Sequence, residues 1–409
     1  MHWRIGMDAT PRGIRPHIAL FGRRNVGKSS LINALTGQKI ALVSDVAGTT
    51  TDPVYKNMEV LPLGPVVFID TAGLDDVGEL GAMRVEATKA VLKKTDLALV
   101  VLEPAETLDA CEKELLATLA AAGTPRIVIV NKCDDGSVPG ALAEQLRGMD
   151  IAPLPVSAKT GLGIDILRGT HITQKLKDFE PGAILADLVK PGDFVVLVVP
   201  IDSAAPKGRI ILPQVQAIRD LLDGGCVSVV TREHELRAAI AGLAKPPALV
   251  VTDSQVFRKV SEDIPKGTPF TSFSVVFARY KGDLATYIEG IRVLDRLKPD
   301  AKILIVEACT HHQMPDDIGR VKIPRWMREK FGPALQFEYA RGSALPADLT
   351  SFDLAVQCGG CMANRRGILS QMSAVAEAGV PITNYGILIA WLHGVLDDAV
   401  RPFGLRLGA

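Results

Sequence analysis

Three of the chain's six cysteines and two of its seven histidines fall in two short segments. These are Cys309-Thr310-His311-His312 and Gln357-Cys358-Gly359-Gly360-Cys361. Thiolate and imidazole are the ligands of zinc, iron and their clusters. The spacing of Cys358 and Cys361 lets two sulfurs bind one metal or two corners of a cluster. Cys309 and His311 add a third thiolate and an imidazole from a second loop. By ligand type alone this set suits structural zinc as well as iron–sulfur, and it leaves a redox dithiol open. Three thiolates also leave one iron of a [4Fe-4S] cluster with a different or exchangeable ligand, an open position.

Those loops need elements to carry them. Each follows an apolar run with strand character, 303–306 (ILIV) and 354–356 (LAV). If both strands are parallel and central, their C-terminal ends open into one crevice, where α/β sheets place ligands.

A second chemistry lies near the N-terminus. Gly22-Arg23-Arg24-Asn25-Val26-Gly27-Lys28-Ser29 fits G-x-x-x-x-G-K-S/T. It is preceded by an apolar strand, 18–21, and followed by a helical pattern, 30–35, the context this motif requires. Backbone N–H groups from Asn25 to Ser30 would curl around phosphate oxygens, Lys28 would meet the β/γ-phosphates, and the Ser29 hydroxyl would ligate Mg2+. The strand 67–70 ends in Asp70-Thr71-Ala72-Gly73, placing a carboxylate for Mg2+ through water and a Gly73 amide for the γ-phosphate. The strand 127–130 leads into Asn131-Lys132-Cys133-Asp134. The Asp134 carboxylate can accept from guanine N1–H and N2–H2, a pair adenine does not offer, so the site suits GTP rather than ATP. Ser157-Ala158-Lys159 resembles the loop that closes on the guanine base in such sites.

Composition frames both sites. The 409 residues are 47% hydrophobic and 22% charged, ample for two to three globular domains. Zero formal net charge argues against a mainly nucleic-acid-binding protein. The first residues carry Arg4, Arg12 and Arg15 and no apolar core run, and no stretch reaches the ~18 apolar residues of a membrane span. We expect a cytoplasmic protein whose cysteines are thiols or ligands, not disulfides.

The fold class expected is α/β, with a P-loop GTPase domain and two further parallel-sheet domains. Boundaries fall at 1–170, 183–268 and 269–409. The middle stretch alternates strands (194–199, 227–230, 248–251) with helices (213–223, 233–241, 253–262). It holds no catalytic constellation, and Cys226 and His234 in it read as packing residues. An apolar domain of this kind, with an unpaired edge strand, suits a homodimer. The third region reads as strand 272–278, helix 284–297, strand 303–306, a turn-rich insertion over 313–350, strand 354–356, helix 366–378, strand 380–383 and a last helix 386–396.

Resemblance sharpens these readings. Gly48-Thr49-Thr50-Thr51-Asp52 resembles the G-T-T-x-D switch of TrmE- and Era-like GTPases, which implies Thr50 as a Mg2+ ligand. Asn25 is similar to the K+-coordinating Asn of their cation-activated members, where K+ serves as an arginine finger does. Leu74 follows the DTAG motif where Ras-like proteins carry a water-orienting Gln, so slow hydrolysis, a switch, is expected. With A-P-K-G-R-I-I-L-P-Q at 205–214 and C-x-H followed by C-G-G-C, the whole chain resembles the [FeFe]-hydrogenase maturation GTPases. The resemblance implies GTP-binding, dimerisation and cluster-binding domains, with a [4Fe-4S] cluster on Cys309, Cys358 and Cys361. It also implies a carrier that takes the di-iron precursor from radical-SAM maturases and delivers it to apo-hydrogenase. The family pattern has His directly before C-x-x-C. Here that residue is Gln357, a poor iron ligand, which leaves the fourth position to His311, His312, water or the cargo, or leaves His311 to orient a thiolate. The alternative reading is an RNA- or ribosome-associated GTPase with structural zinc.

Overall fold

The computed structural model describes residues 15–37, 53–60, 64–74, 87–177, 182–201, 210–308, 317–341, 345–360 and 363–406. Thr50, Cys309, His311, His312 and Cys361 lie outside them. The chain divides into two units, Met1–Glu180 and Pro181–Ala409.

The first unit is built on strands β1 (His17–Phe21), β2 (Val54–Val60), β3 (Gly64–Asp70), β4 (Leu97–Leu102), β5 (Arg126–Val130) and β6 (Leu154–Pro155). Their order is β2-β3-β1-β4-β5-β6, with β2 antiparallel to β3 and the other pairs parallel. β1 and β4 are buried along their whole length, as strands covered by helices on both faces must be. Apolar clusters fill both faces of this sheet.

The second unit holds β7 (Phe194–Val198), β8 (Val227–Thr231), β9 (Leu249–Thr252) and β10 (Phe270–Ser272), in the order β10-β9-β7-β8. It continues with β11 (Lys302–Glu307), β12 (Gln336–Arg341), β13 (Leu354–Gln357) and β14 (Ile382–Asn384), in the order β12-β11-β13-β14. Every pair in these two sheets is parallel. β8 lies at an edge and leaves Val227 and Val230 more than two-fifths exposed.

Three expectations are corrected. The expected strand 272–278 is a helix, Phe273–Lys281. Ser272 caps it, its hydroxyl accepting from Val275 N at 3.3 Å. Phe273, Val276 and Phe277 pack into the core beside β7 and β9, while Val275 and Ala278 pack into the core of β11 and β13. A helix apolar on both sides shows no 3.6-residue period, and its Phe and Val residues mimic a strand. The expected insertion 313–350 contains the helix Ile323–Phe331 and the edge strand β12. Pro324 reads as a turn signal but occupies the helix's first turn, where a missing N–H costs nothing. The helix expected over 284–297 is α-helical only for Leu284–Ile291 and tightens to a 3-10 turn at Arg292–Arg296.

Candidate functional site

The phosphate-binding loop runs from β1 into the helix Lys28–Thr36. Lys28 is buried, and its Nζ donates to Gly22 O at 2.9 Å and Arg23 O at 2.7 Å. The ammonium thus lies over the loop whose amides would hold phosphates. Asn25 has φ +60°, the left-handed region that Asn tolerates better than most residues. Gly27 has φ +94°, and a Cβ there would lie 2.2 Å from Asn131 Nδ2, so both backbone and space demand glycine.

Asp70 ends β3 at the mouth of this loop. The Ser29 hydroxyl donates to Asp70 Oδ2 at 2.7 Å. Burial pushes the Asp70 carboxyl up, and the Ser29 bond and the charges of Lys28 and Lys56 oppose that. Lys56, on β2, carries no motif signal, and reading the sequence missed it. Burial lowers its own pKa while Asp70 raises it. Thr71 Oγ1 donates to Leu20 O at 2.6 Å, fixing the DTAG segment with Gly73 against β1. Leu74 packs against the apolar cluster on that face and offers no polar atom to a water. Thr50 lies outside the described residues.

The base-binding residues converge from two loops. Asn131 is 2% exposed; its Nδ2 donates to Val26 O at 2.9 Å and its Oδ1 accepts from Ala158 N at 3.0 Å. One side chain therefore ties the phosphate loop to the Ser157-Ala158-Lys159 loop. The Ser157 hydroxyl donates to Asp134 Oδ1 at 2.6 Å, and Lys159 Nζ lies 3.9 Å from Asp134 Oδ2. Lys132 reaches outward to Glu103 at 2.8 Å. Cys133 is core, its backbone N–H on Val156 O.

The cysteine region sits at the C-terminal ends of β11, β13 and β14. Val306 is opposite Gln357 and Gln357 opposite Asn384, so the three strands end level. Cys358 Sγ accepts from Ala308 N at 3.1 Å, and the Cys358 amide donates to Val306 O at 2.9 Å. Ala308, the residue before Cys309, is thus held against Cys358 at the sheet's end. Cys309, His311 and Cys361 lie outside the described residues. Among the described residues no group of three or more His, Cys, Asp or Glu could hold a metal.

Three buried residues support the chain around Cys358. Gln357 is fully buried. Its Oε1 accepts from Tyr287 OH at 2.5 Å, and its Nε2 donates to Ile368 O at 3.1 Å and Gln371 Oε1 at 2.7 Å. These bonds run into the core, so Gln357 braces the end of β13. Lys281 is 2% exposed; its Nζ donates to Gly360 O at 2.6 Å and Ala363 O at 2.8 Å, placing a buried ammonium under the C-x-x-C turn. Glu307, at the end of β11, is buried and held by Arg320 at 3.0 and 2.6 Å and by Arg341 at 3.4 Å. At the far end of the helix Tyr385–Leu392, His393 lies edge-on to Trp326.

Comparison with known proteins follows this division. Residues 17–132 match the family model of the 50S ribosome-binding GTPase. Residues 184–282 match that of the hydrogen maturase F dimerization domain, and residues 285–402 that of the hydrogen maturase F tetramerization domain. The tRNA modification GTPase MnmE of Chromobacterium violaceum is 42% identical over 154 residues, 37% of this chain and 33% of that protein. MnmE of Halorhodospira halophila is 42% identical over 161 residues, 38% of this chain and 33% of that protein. The chain spans about a third of the length of these curated relatives. A solved structure of Aquifex aeolicus Era bound to GDP and AlF4− is 22% identical and covers 55% of this chain and 97% of that one, at a TM-score of 0.36. The first unit is a P-loop GTPase domain. No helix among the described residues is long and apolar enough to cross a membrane.

Proposed function

This chain belongs to the hydrogen maturase F family, and on that premise we propose that it is a GTP-hydrolysing scaffold for hydrogenase maturation. It holds a [4Fe-4S] cluster on Cys309, Cys358 and Cys361 and carries the di-iron precursor from radical-SAM maturases to apo-[FeFe]-hydrogenase. The observation that carries this reading is the 3.1 Å bond from Ala308 N to Cys358 Sγ, which sets the start of the Cys309 loop against the C-x-x-C loop.

The described residues fit such a group. An amide aimed at Cys358 Sγ favours the thiolate over the thiol. The buried Lys281 ammonium offsets negative charge gathered at the turn. Gln357 is a poor iron ligand and is engaged in the core, which supports a fourth position taken by His311, His312, water or cargo. When bound, the cluster supplies an iron with a coordination position open to an incoming ligand.

In the GTPase domain, Ser29, Asp70 and Thr50 are the residues that would hold Mg2+, and Asn25 the one that would hold K+. Lys28 exchanges the carbonyls of Gly22 and Arg23 for phosphate oxygens, and the Gly73 amide reads the γ-phosphate. Asn131, Lys132, Asp134, Ser157, Ala158 and Lys159 select guanine. With Leu74 in place of a water-orienting side chain, hydrolysis is slow and serves as a switch. We propose 1–170, 183–268 and 269–409 as the three functional domains. The exposed apolar edge at β8 supports self-association through the middle one.

The test is metal content. Protein purified aerobically and reconstituted anaerobically with iron and sulfide should turn brown and hold iron through the three cysteines. Tightly held zinc that resists reconstitution would favour a zinc-stabilised GTPase and overturn the carrier reading.

A further inference from the structure

We propose that the Tyr385 hydroxyl is a hydrogen-bond donor to the group bound at Cys358, placed to tune that group and not to hold the fold. This rests on the cluster reading above and goes beyond it, since no cysteine motif calls for a tyrosine.

The position comes from strand register. Tyr385 opens the helix that follows β14 directly. Gln357 and Asn384 are the last aligned pair of β13 and β14, so Cys358 and Tyr385 are the next residues on each side. Asn384 Nδ2 donates to Cys358 O at 3.4 Å, which keeps the two chain ends together beyond the sheet.

The hydroxyl is lodged there by a close approach. A Cβ on Gly319 would lie 2.0 Å from the Tyr385 oxygen, so the segment that follows the Cys309 loop leaves room for this hydroxyl only because residue 319 is glycine. The oxygen is shielded from solvent, and among the described residues it has no hydrogen-bond partner. The acids nearest in charge are engaged with arginine: Glu307 takes Arg320 on both oxygens, and Asp317 accepts from Arg320 N at 2.8 Å. Tyr287, fully buried, instead donates to Gln357 at 2.5 Å. A buried hydroxyl without a partner is destabilising, and native structures keep few of them.

A donor facing a thiolate or sulfide stabilises the more negative, reduced state of an iron–sulfur group and raises its potential. Removing it should lower the potential without removing a ligand. Full-length wild type, Tyr385→Phe and Cys358→Ser are reconstituted anaerobically with ferrous iron and sulfide. Iron content, the midpoint potential from an electron paramagnetic resonance titration, and the melting temperature of the metal-free protein are then compared. For Tyr385→Phe we expect iron and sulfide equal to wild type, a potential shifted to more negative values, and a metal-free melting temperature equal or higher. An unchanged potential overturns the proposal. So does a lowered melting temperature of the metal-free variant, which would mean the hydroxyl is bonded inside the protein. If wild type takes up no cluster, or Cys358→Ser takes up as much, the cluster reading itself has failed and the donor role falls with it.

Discussion

The nucleotide site and the cysteine site are built by opposite means. In the first, the groups that act are neighbours in sequence and largely backbone: one loop wraps phosphate, and Asn131 ties it to the base loop. In the second, the proposed ligands are thiolates that follow separate strands in the chain. They are steadied by buried polar residues, the adjoining Gln357 and, from far away in the chain, Lys281 and Tyr287. A phosphate is recognised by amides that any loop possesses, so a short motif suffices. A cluster needs thiolates converging with compensated charge, and only the assembled sheet brings those together.

The largest effect expected is on the cysteine side. Cys358→Ser should lose its iron to background on reconstitution and lose hydrogenase activation, while GTP hydrolysis is unchanged. Retained iron would erase the distinction between the two sites. The mirror experiment is Lys28→Ala, which should cut GTP turnover by about 10²- to 10³-fold, the scale of losing one charge-stabilising group, and keep the cluster. A loss of iron in that variant would show the two units to be interdependent.

This contrast also explains what the sequence could reveal. The phosphate loop, the DTAG strand and the Asn131–Asp134 turn lie where their motifs demand, because each motif is local and specifies its own backbone. β11 and β13 were legible as apolar runs, and their parallel register brings their ends level as anticipated. Helix Phe273–Lys281 was not legible. It is covered on two sides, so burial erased the periodicity that would have revealed it. Helix Ile323–Phe331 was hidden by Pro324, a residue that signals a turn and also a helix start. The supports of the cysteine site were invisible for another reason. Lys281 and Tyr385 belong to no motif. Only the tertiary structure places the first under the C-x-x-C turn and the second in line with Cys358.

A smaller effect sharpens the role of Gln357. Gln357→His restores the residue type the family resemblance calls for at that position. It should nonetheless destabilise the second unit by about 1–3 kcal/mol, because Tyr287, Ile368 and Gln371 lose a buried partner. Denaturant titration of the metal-free protein measures this. A variant of full stability whose reduced cluster shows an altered resonance would instead make residue 357 a ligand.

The smallest effect is a titration confined to the second unit. Burial, and then the Arg258 charge, lower the His393 pKa below its ordinary 6.5. The unfolded chain therefore binds this proton more tightly than the folded one. The stability that His393 contributes is present above pH 6.5 and is lost as pH falls below it toward the depressed folded value. His393→Gln should flatten the melting temperature of the metal-free protein over that window relative to wild type. Parallel profiles for the two proteins would contradict the assignment.

The central claim is that two strand-end loops grip one inorganic core, and Cys309 tests it most directly because it belongs to the loop that Cys358 does not. Electron paramagnetic resonance of reduced, reconstituted Cys309→Ser should lack the [4Fe-4S] signal that wild type shows under the same treatment. The same signal, at the same g-values and the same spins per chain, would mean that residue 309 is not a ligand and that the C-x-x-C loop works alone.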